Sequence, residues 1–583
     1  MVTGCKELTA TNVLKVQVVQ IKPDTAKYAV QPVMWDSQVD TVAVHLTDGS
    51  GALVQSDNVV WTTTADSIVS VQPWAQCHRP AAADTARTAD IRACLTANRS
   101  GDVTIGLKVA QAGLSPETVS FHVRVNEKWT SVAAGRHFTC AVNVHDRLFC
   151  WGDGTLIGNG SSPDANVPTA VALPAGLRFS AVHSGGSTTC AVLDPTSVAY
   201  CWGDNAFGQA GLGRAPSLQY APTVVENAMA FLSIAVGNEF SCGISREQPT
   251  PSPLASKSGY VTCGGRSDGL LGLATVLGEE ACIQLQFGNN AGTKCFYEPG
   301  VQYPLLDPAG NDAAASIAVG LEHACAVNKR SRSTFCWGRN DLGQVNGTSS
   351  GSVAQPVIVT LAGVADSVTA GYSHTCSLLL AGGAVSCWGR NNSGEAGSFG
   401  TTGCPRTSTA AALALPCVVK PQPIPQPGGA FTSLAAGSNF TCGLTTAGAA
   451  YCWGDNDFGQ LGTSSTLPGS CFAVEPDAEP GATTPHGCSG VPVLVAQPLP
   501  LPRTFTSLGV GAYHACGVTA PDGALFCWGL DDLGQLGNGK GGTATGCEFK
   551  NVLPTRVVEP DFIPAIACSQ SQASAQRVRP TRP

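Results

Sequence analysis

Cysteine is the residue whose type and spacing carry chemistry in this chain. Twenty-five cysteines occur among 583 residues, and fourteen of them form a series of close pairs: Cys140 and Cys150, Cys190 and Cys201, Cys242 and Cys263, Cys325 and Cys336, Cys376 and Cys387, Cys442 and Cys452, Cys516 and Cys527. A glycine stands five positions before each first cysteine, at Gly135, Gly185, Gly237, Gly320, Gly371, Gly437 and Gly511. These pairs lack the C-x-x-C spacing of zinc sites, so the chemistry they indicate is oxidation to structural disulfides in an oxidising compartment. The last copy shows why the spacing works. Gly511 to Val518 reads as a strand, Leu525 to Gly529 as its partner and Pro521-Asp522-Gly523 as the turn between them. A turn centred between Pro521 and Asp522 leaves Cys516 and Cys527 equidistant from it, and opposed residues of an antiparallel pair are close enough to bond.

Other reactive residue types do not assemble into a site. His323, His374 and His514 share one repeat position, which would make a ring of metal ligands, but the same position holds Phe138, Thr188, Phe240 and Phe440 in the other copies. Interchange with phenylalanine marks packing. Gly347-Thr348-Ser349-Ser350-Gly351 fits G-x-S-x-G but follows a turn signal rather than sitting between a strand and a helix. Asp153, Asp204 and Asp455 alternate with Arg339, Arg390 and Leu530, which argues against a catalytic carboxylate pair. No catalytic, cofactor-binding or metal-ligating set is expected, and the tryptophans read as core.

The elements that hold the cysteines repeat seven times with a period of about 50 residues. Strand signals at that period, with no amphipathic helical pattern, predict an all-β propeller. The second cysteine is followed by Trp-Gly in six copies, and two of these continue as Trp453-Gly454-Asp455-Asn456-Asp457-Phe458-Gly459-Gln460-Leu461-Gly462 and Trp202-Gly203-Asp204-Asn205-Ala206-Phe207-Gly208-Gln209-Ala210-Gly211. This motif resembles the regulator of chromosome condensation repeat family, and the resemblance, over residues 128 to 569, implies a seven-bladed β-propeller of four-stranded blades. Two copies depart from it. Copy one has Gly158-Asn159-Gly160 where Gly-Gln-Leu-Gly is expected, and copy three has Gly264 in place of tryptophan, whose volume something else must fill. The paired cysteines resemble those of secreted bacterial members.

Charge is sparse: 33 basic and 41 acidic residues give −8, and 67 glycines suit a turn-rich β chain. A surface without clustered lysine and arginine is a poor nucleic-acid partner, so the chromatin role of the family's namesake is not expected. Four segments follow. Residues 1–7 read as an anchor or linker, 8–126 as an N-terminal β-sandwich domain, 127–569 as the propeller and 570–583 as a disordered tail. In the second segment, Val13–Ile21, Val39–Leu46, Val59–Thr63, Ile68–Val71, Val103–Val109 and Val119–Val125 are β-rich runs between turn signals. Their order resembles bacterial group-2 immunoglobulin-like domains. Cys77 and Cys94 are expected to staple the Ala/Thr-rich stretch 80–90, and the domain reads as a spacer.

Extra length in copies three, five and six falls in segments 273–300, 398–420 and 463–490. Each carries two cysteines, Cys282 with Cys295, Cys404 with Cys417 and Cys471 with Cys488. Insertions at one repeat position emerge on one face, so these stapled loops are expected to form a common rim presenting Phe287, Phe296, Tyr297, Phe399 and Phe472. Residues 562–569 begin an eighth copy and are expected to pair with the blade of Trp129 to Gly135 or to stand beside it, with Cys547 bonded to Cys568. Twelve bridges then use 24 cysteines and leave Cys5, within Val2-Thr3-Gly4-Cys5, which resembles a bacterial lipobox; membrane contact is expected only through a lipid on that residue. The reading is a non-catalytic, secreted or surface-anchored bacterial module that binds a protein or glycan through the propeller face. The alternative is a propeller lyase or hydrolase, for which convergent His, Glu and Asp at one mouth would argue; a mouth of Gly, Ser and aromatics would argue for binding.

Overall fold

The structure is a computed structural model; it describes strands and turns between residues 15 and 126 and, beyond them, 127–161, 163–173, 177–212, 217–225, 228–246, 259, 261–266, 281–285, 292–297, 302–303, 313–347, 351–397, 403–404, 415–464, 467, 469–472, 485–496, 503–542, 549–558 and 560. Every named element is a β-strand. The chain divides into two compact units, 1–128 and 129–583.

The first unit holds two four-stranded sheets. One runs Lys15–Lys22, Val39–Thr47, Asp90–Ala97, Val69–Pro73; the other runs Val33–Trp35, Glu117–Asn126, Gly101–Ala110, Asn58–Thr63. Alternate residues are buried in each, Ala93 and Leu95 in the first and Val103, Ile105 and Leu107 in the second, as the two-residue period of a strand requires. Two of these strands, Val33–Trp35 and Asp90–Ala97, are not among the six runs read from the sequence. Asp90–Ala97 alternates Ile91, Ala93 and Leu95, but it follows an Ala/Thr-rich stretch without period that masks its start. Cys94 lies on this strand, its backbone opposite Thr41 and Gln72; Cys77 lies outside the described residues.

The second unit is a seven-bladed β-propeller. In the first blade Trp129–Ala134, Phe138–Asn143, Leu148–Gly152 and Ala165–Ala170 pair in sequence as an antiparallel meander. In every blade the two cysteines of the second and third strands are direct partners in the ladder. All seven pairs are disulfides, with Cα atoms 4.0–4.1 Å apart. The bridges close loops of 10, 11 or 21 residues, for which chain entropy gives about 3 kcal/mol each. They point to an oxidising, extracytoplasmic environment. After the second cysteine the ladder slips, so that the tryptophan sits in a β-bulge, and the next glycine takes φ of +95° to +111° in the six Trp-Gly blades. A side chain there would be strained, which explains why Gly follows the bulge tryptophan in all six blades that have one.

Three blades exceed four strands. Blades three, five and six add Ala281–Leu285, Gly403–Cys404 and Gly469–Phe472 at their outer edge, all drawn from the cysteine-bearing insertions. Cys282 and Cys295 are backbone partners, and Cys417 and Cys488 each belong to a disulfide of their own. Cys547, Cys568 and Cys5, like residues 562–583, lie outside the described residues.

Residues 562–569, expected to pair with the blade of Trp129 to Gly135 or to stand beside it, lie outside the described residues. Each blade is contiguous: the first takes four strands from 129–170 and the last four from 504–556. They meet side by side, with Trp129 N donating to Gly523 O at 2.8 Å and Ala512 N to Gly135 O at 3.1 Å. The first blade already has an outer strand of its own, so closure uses the same side-by-side packing as every other seam.

Candidate functional site

The repeat motif is consumed by architecture. Its asparagine caps the turn that follows: Asn205, Asn340, Asn391 and Asn456 each accept the N–H of the residue five positions on through Oδ1, and Asp531 does so in the last blade. Its glutamine accepts the N–H two positions back through Oε1, in Gln209, Gln344, Gln460 and Gln535. The carbonyl of that glutamine receives the indole of the next blade: Trp388 to Gln344 at 2.8 Å, Trp528 to Gln460 at 3.0 Å and Trp151 to Gln535 at 2.9 Å. Trp202 donates instead to Leu156 O at 3.0 Å, and Ile157 is fully buried, as Leu461 and Leu536 are. The first copy therefore matches the motif through Leu156-Ile157-Gly158 rather than Gly158-Asn159-Gly160; its turn is shorter by two residues.

The three histidines belong to the same seams. His323 Nε2 lies 2.9 Å from Thr375 Oγ1, His374 Nε2 2.8 Å from Thr441 Oγ1, and His514 Nε2 2.8 Å from Thr139 Oγ1, each threonine being in the following blade. Thr375 and Thr139 spend their only hydroxyl hydrogen on Gln344 O and Gln535 O, so His323 and His514 must donate through Nε2–H. All three rings are fully buried, and burial holds His323 at about 4 and His374 and His514 at about 3. They are neutral packing groups, and no group of three metal-ligating side chains occurs among the described residues.

One end of the disc gathers the residues that architecture does not use. At this end lie the turns between first and second strands and the far ends of the third strands, because Phe138 pairs with Gly152 and its counterparts do likewise. The glycines five before each cysteine form the channel mouth. A Cβ on Gly320, Gly371, Gly437 or Gly511 would meet the next blade's glycine carbonyl at 2.3–2.4 Å, so this position tolerates no side chain. Around the mouth run two contrasting sectors. Across blades six, seven and one an aromatic chain passes from Phe549, 49% exposed, to Phe458 at 6.2 Å, Tyr513 at 5.5 Å and the His137 ring at 6.1 Å. His137 Nδ1 lies 3.5 Å from Asp532 Oδ1. Burial works to raise the Asp532 carboxyl, but the His137 contact and Gln535 more than reverse it and hold it below the ordinary aspartate value. Across blades three and four runs a ladder of alternating charge, Glu239, Arg266, Glu322, Arg339 and Asp341. Burial would lower Arg339, and Glu322 and Asp341 raise it instead.

The insertions rise from this same end. Phe296 pairs with Arg266, Cys417 with Arg390 and Cys488 with Asp455, three equivalent positions just after Trp-Gly or its counterpart. Of the rim residues read from the sequence, the backbones of Phe296 and Tyr297 lie on Gly292–Tyr297 and that of Phe472 on Gly469–Phe472; Phe287 and Phe399 lie outside the described residues. The aromatic chain is not part of the sequence reading. Its signal is divergence at fixed offsets, with Tyr513 and His137 two residues after the mouth glycine and Phe458 five after the tryptophan.

A seven-bladed propeller whose seams are closed by a Trp-Gly/Gly-Gln motif is the architecture of a repeat-built binding or regulatory module. Regulator of chromosome condensation (RCC1) repeats are present at 129–156, 365–395, 431–460 and 505–535, and at 198–244 and 522–575. The chain is similar to ultraviolet-B receptor UVR8 of Arabidopsis thaliana, 23% identical over 70% of this chain and 78% of the receptor. It is also similar to the secretion-regulating guanine nucleotide exchange factor of Bos taurus, 25% identical over 69% and 78%. E3 ubiquitin-protein ligase HERC2 of Mus musculus is 27% identical over 36% of this chain, a stretch amounting to 4% of the ligase. Among solved structures, Kap60 bound to yeast RCC1 (Prp20) contains a chain that superposes with a TM-score of 0.52 at 19% identity, over 74% of this chain and 84% of that one.

Proposed function

We propose that this chain is a non-catalytic, secreted or surface-anchored bacterial binding module, and that the insertion-bearing end of its propeller docks a protein. The observation that carries the reading is the aromatic chain Phe549–Phe458–Tyr513–His137 at the mouth of that end. Aromatic side chains are enriched in binding hot spots, and no other copy places an aromatic ring at the offset of His137 and Tyr513. The stapled insertions rise from the same end and would frame the patch. The mouth itself is built of Gly320, Gly371, Gly437, Gly511, Ser438 and Tyr372, a lining that favours binding over bond cleavage. Lipidation of Cys5 would hold the module at the cell surface or periplasm.

The test uses the oxidised full chain as bait in its native culture, with Phe458→Ala and Tyr513→Ala beside wild type. The reading expects one captured protein, lost at least tenfold with either substitution and retained after enzymatic deglycosylation. Equal capture by all three baits would overturn it, and loss on deglycosylation would reassign the partner to a glycan.

A further inference from the structure

Six seams of the disc are filled near the mouth by two buried rings. One stands two residues before the first cysteine, as Phe138, Phe240, His323, His374, Phe440 or His514; the other is the tryptophan of the following blade. The seam between blades two and three has neither. Thr188 holds the first position and turns its hydroxyl to Asp204 O of its own blade at 2.7 Å, and Gly264 holds the second. The buried apolar cluster that spans this seam contains a single ring, Phe231, and beside it lies a cavity of about 40 Å³.

The backbone is also loose at the mouth of this seam. Five seams are tied there by one bond each: Arg136 N to Gly186 O, Leu321 N to Tyr372 O, Tyr372 N to Ser438 O, Ser438 N to Ala512 O and Ala512 N to Gly135 O. Gly186 of blade two approaches Asn238 of blade three, where a Cβ would meet Asn238 Cα at 2.6 Å, but no backbone bond joins the two. Blades three and four lack the bond as well. They keep both rings, however, and Arg266 reaches Glu322 across their seam at 3.3 Å. Between blades two and three the mouth half is held by Ser241 Oγ, which donates to Gln209 O, and by Gln209 Nε2, which donates to Asn238 O at 3.4 Å.

At the far end the same seam is fastened more firmly than the others. Val198 and Ala230 form an isolated antiparallel bridge that has no counterpart at the other seams among the described residues. Phe231 N donates to Ser197 O at 2.8 Å, Ala199 N to Met229 O at 3.2 Å, and the Arg246 guanidinium to Pro195 O and Ser197 Oγ. A seam bonded at one end and underfilled at the other opens at the end where fewer apolar contacts oppose separation.

We propose that this seam is a hinged gate: blades two and three part at the mouth, pivoting on the Val198–Ala230 bridge, while the other six seams stay closed. The motion widens the mouth of the central channel, whose lining includes Gly185, Gly186, Gly237 and Asn238. It also carries the blade-three insertion strand Gly292–Tyr297, paired to Arg266, away from blade two. The gate is independent of the protein-docking reading.

The test is hydrogen exchange at neutral pH on the oxidised full chain, read by mass spectrometry after quenching, reduction and digestion. Segments 205–211 and 238–243 should exchange at least about tenfold faster than their counterparts 456–462 and 512–517 at the seam of blades six and seven. At the pivot, 197–199 and 229–231 should exchange no faster than 448–450 and 503–505. Gly264→Trp, which restores one ring, should slow the two mouth segments by at least about fivefold. Equal exchange at the two seams overturns the gate. Fast exchange at both ends of the seam also overturns it, since blade three would then open as a whole, and so does a folded Gly264→Trp chain whose mouth segments exchange as in wild type. The comparison within the wild-type chain decides the matter by itself if the variant does not fold.

Discussion

His514 of the last blade donates through Nε2 to Thr139 Oγ1 of the first, 2.8 Å away, with both residues fully buried. This bond fastens the two ends of the chain, and Thr139 completes it by donating to Gln535 O at 2.8 Å. Thr139→Val removes both bonds at constant shape and leaves the imidazole N–H buried without an acceptor. The expected cost is about 1–3 kcal/mol, read as a lower denaturation midpoint in urea under non-reducing conditions. Thr375→Val, at the equivalent seam inside the chain, should cost a similar amount. An unchanged midpoint for both would remove the seam bond from the account of ring stability.

The same histidines fix a dependence on pH. His323, His374 and His514 are depressed to about 4, 3 and 3 from an ordinary value of 6.5. The unfolded chain therefore binds more protons than the folded one below 6.5, so this contribution is full above pH 6.5 and is lost as pH falls towards 3. Unfolding free energy should drop between pH 7 and pH 5. His514→Phe, which installs the residue that Phe440 provides one blade earlier, should flatten that slope. A slope identical to that of wild type would show that the imidazole is accessible to protons in the folded ring.

How much of this was legible beforehand follows from what repeats. The seven blade cysteine pairs, the propeller and the packing role of His323, His374 and His514 were readable because seven copies place like residues at like offsets, so each position is interpreted seven times. Ring closure was not, since it depends on which edges meet, and Trp129 N to Gly523 O joins residues 394 positions apart with no local signature. The first blade's motif was misaligned because glycine was taken as its marker, whereas the physical marker is the carbonyl that receives Trp202, and that belongs to Leu156. The aromatic chain was missed for the opposite reason: Tyr513 and His137 occur once each at their offset, and a reading built on recurrence discounts what does not recur, while Phe458, which recurs as Phe207, was read only as part of the motif.

A buried charge pair in blade five tests whether the motif's glutamine must be neutral. Glu395 occupies the position of Gln460 and is fully buried; its Oε1 lies 3.5 Å from Arg390 Nε, where blade six has Asp455 accepting from Gln460 Nε2 at 3.0 Å. The two blades thus solve one contact with exchanged partners. Burial pushes the Glu395 carboxyl up, and Arg390 opposes the shift. Glu395→Gln alone removes the Glu395 carboxylate from beside the buried guanidinium and should cost about 3–5 kcal/mol. Adding Arg390→Asp recreates the blade-six pair and should recover most of that loss, a coupling that a double-mutant cycle measures directly. Additive effects would mean that the two side chains act separately.

Blade three offers the reverse experiment. Gly264 stands where six other blades bury a tryptophan, and its volume is only partly taken up by neighbours: a cavity of about 40 Å³ remains between blades two and three, lined by Phe231, Ile234, Val225 and the Cys190–Cys201 and Cys242–Cys263 bridges. The expectation that another group fills the space is met only in part. The acceptor for an indole is already in place, because Gln209 O receives Ser241 Oγ just as Gln344 O receives Thr375 Oγ1, and Gln344 O takes Trp388 Nε1 in addition. Gly264→Trp should therefore enter by widening this cavity, with its acceptor already placed. At about 24 cal/mol per Å³ the cavity alone is worth about 1 kcal/mol, and the seam hydrogen bond adds to that. The expected result is a higher unfolding midpoint with the blade disulfides intact by non-reducing peptide mapping. A lower midpoint would mean that blades two and three have closed on the missing ring and that the seam no longer has the geometry of the other six.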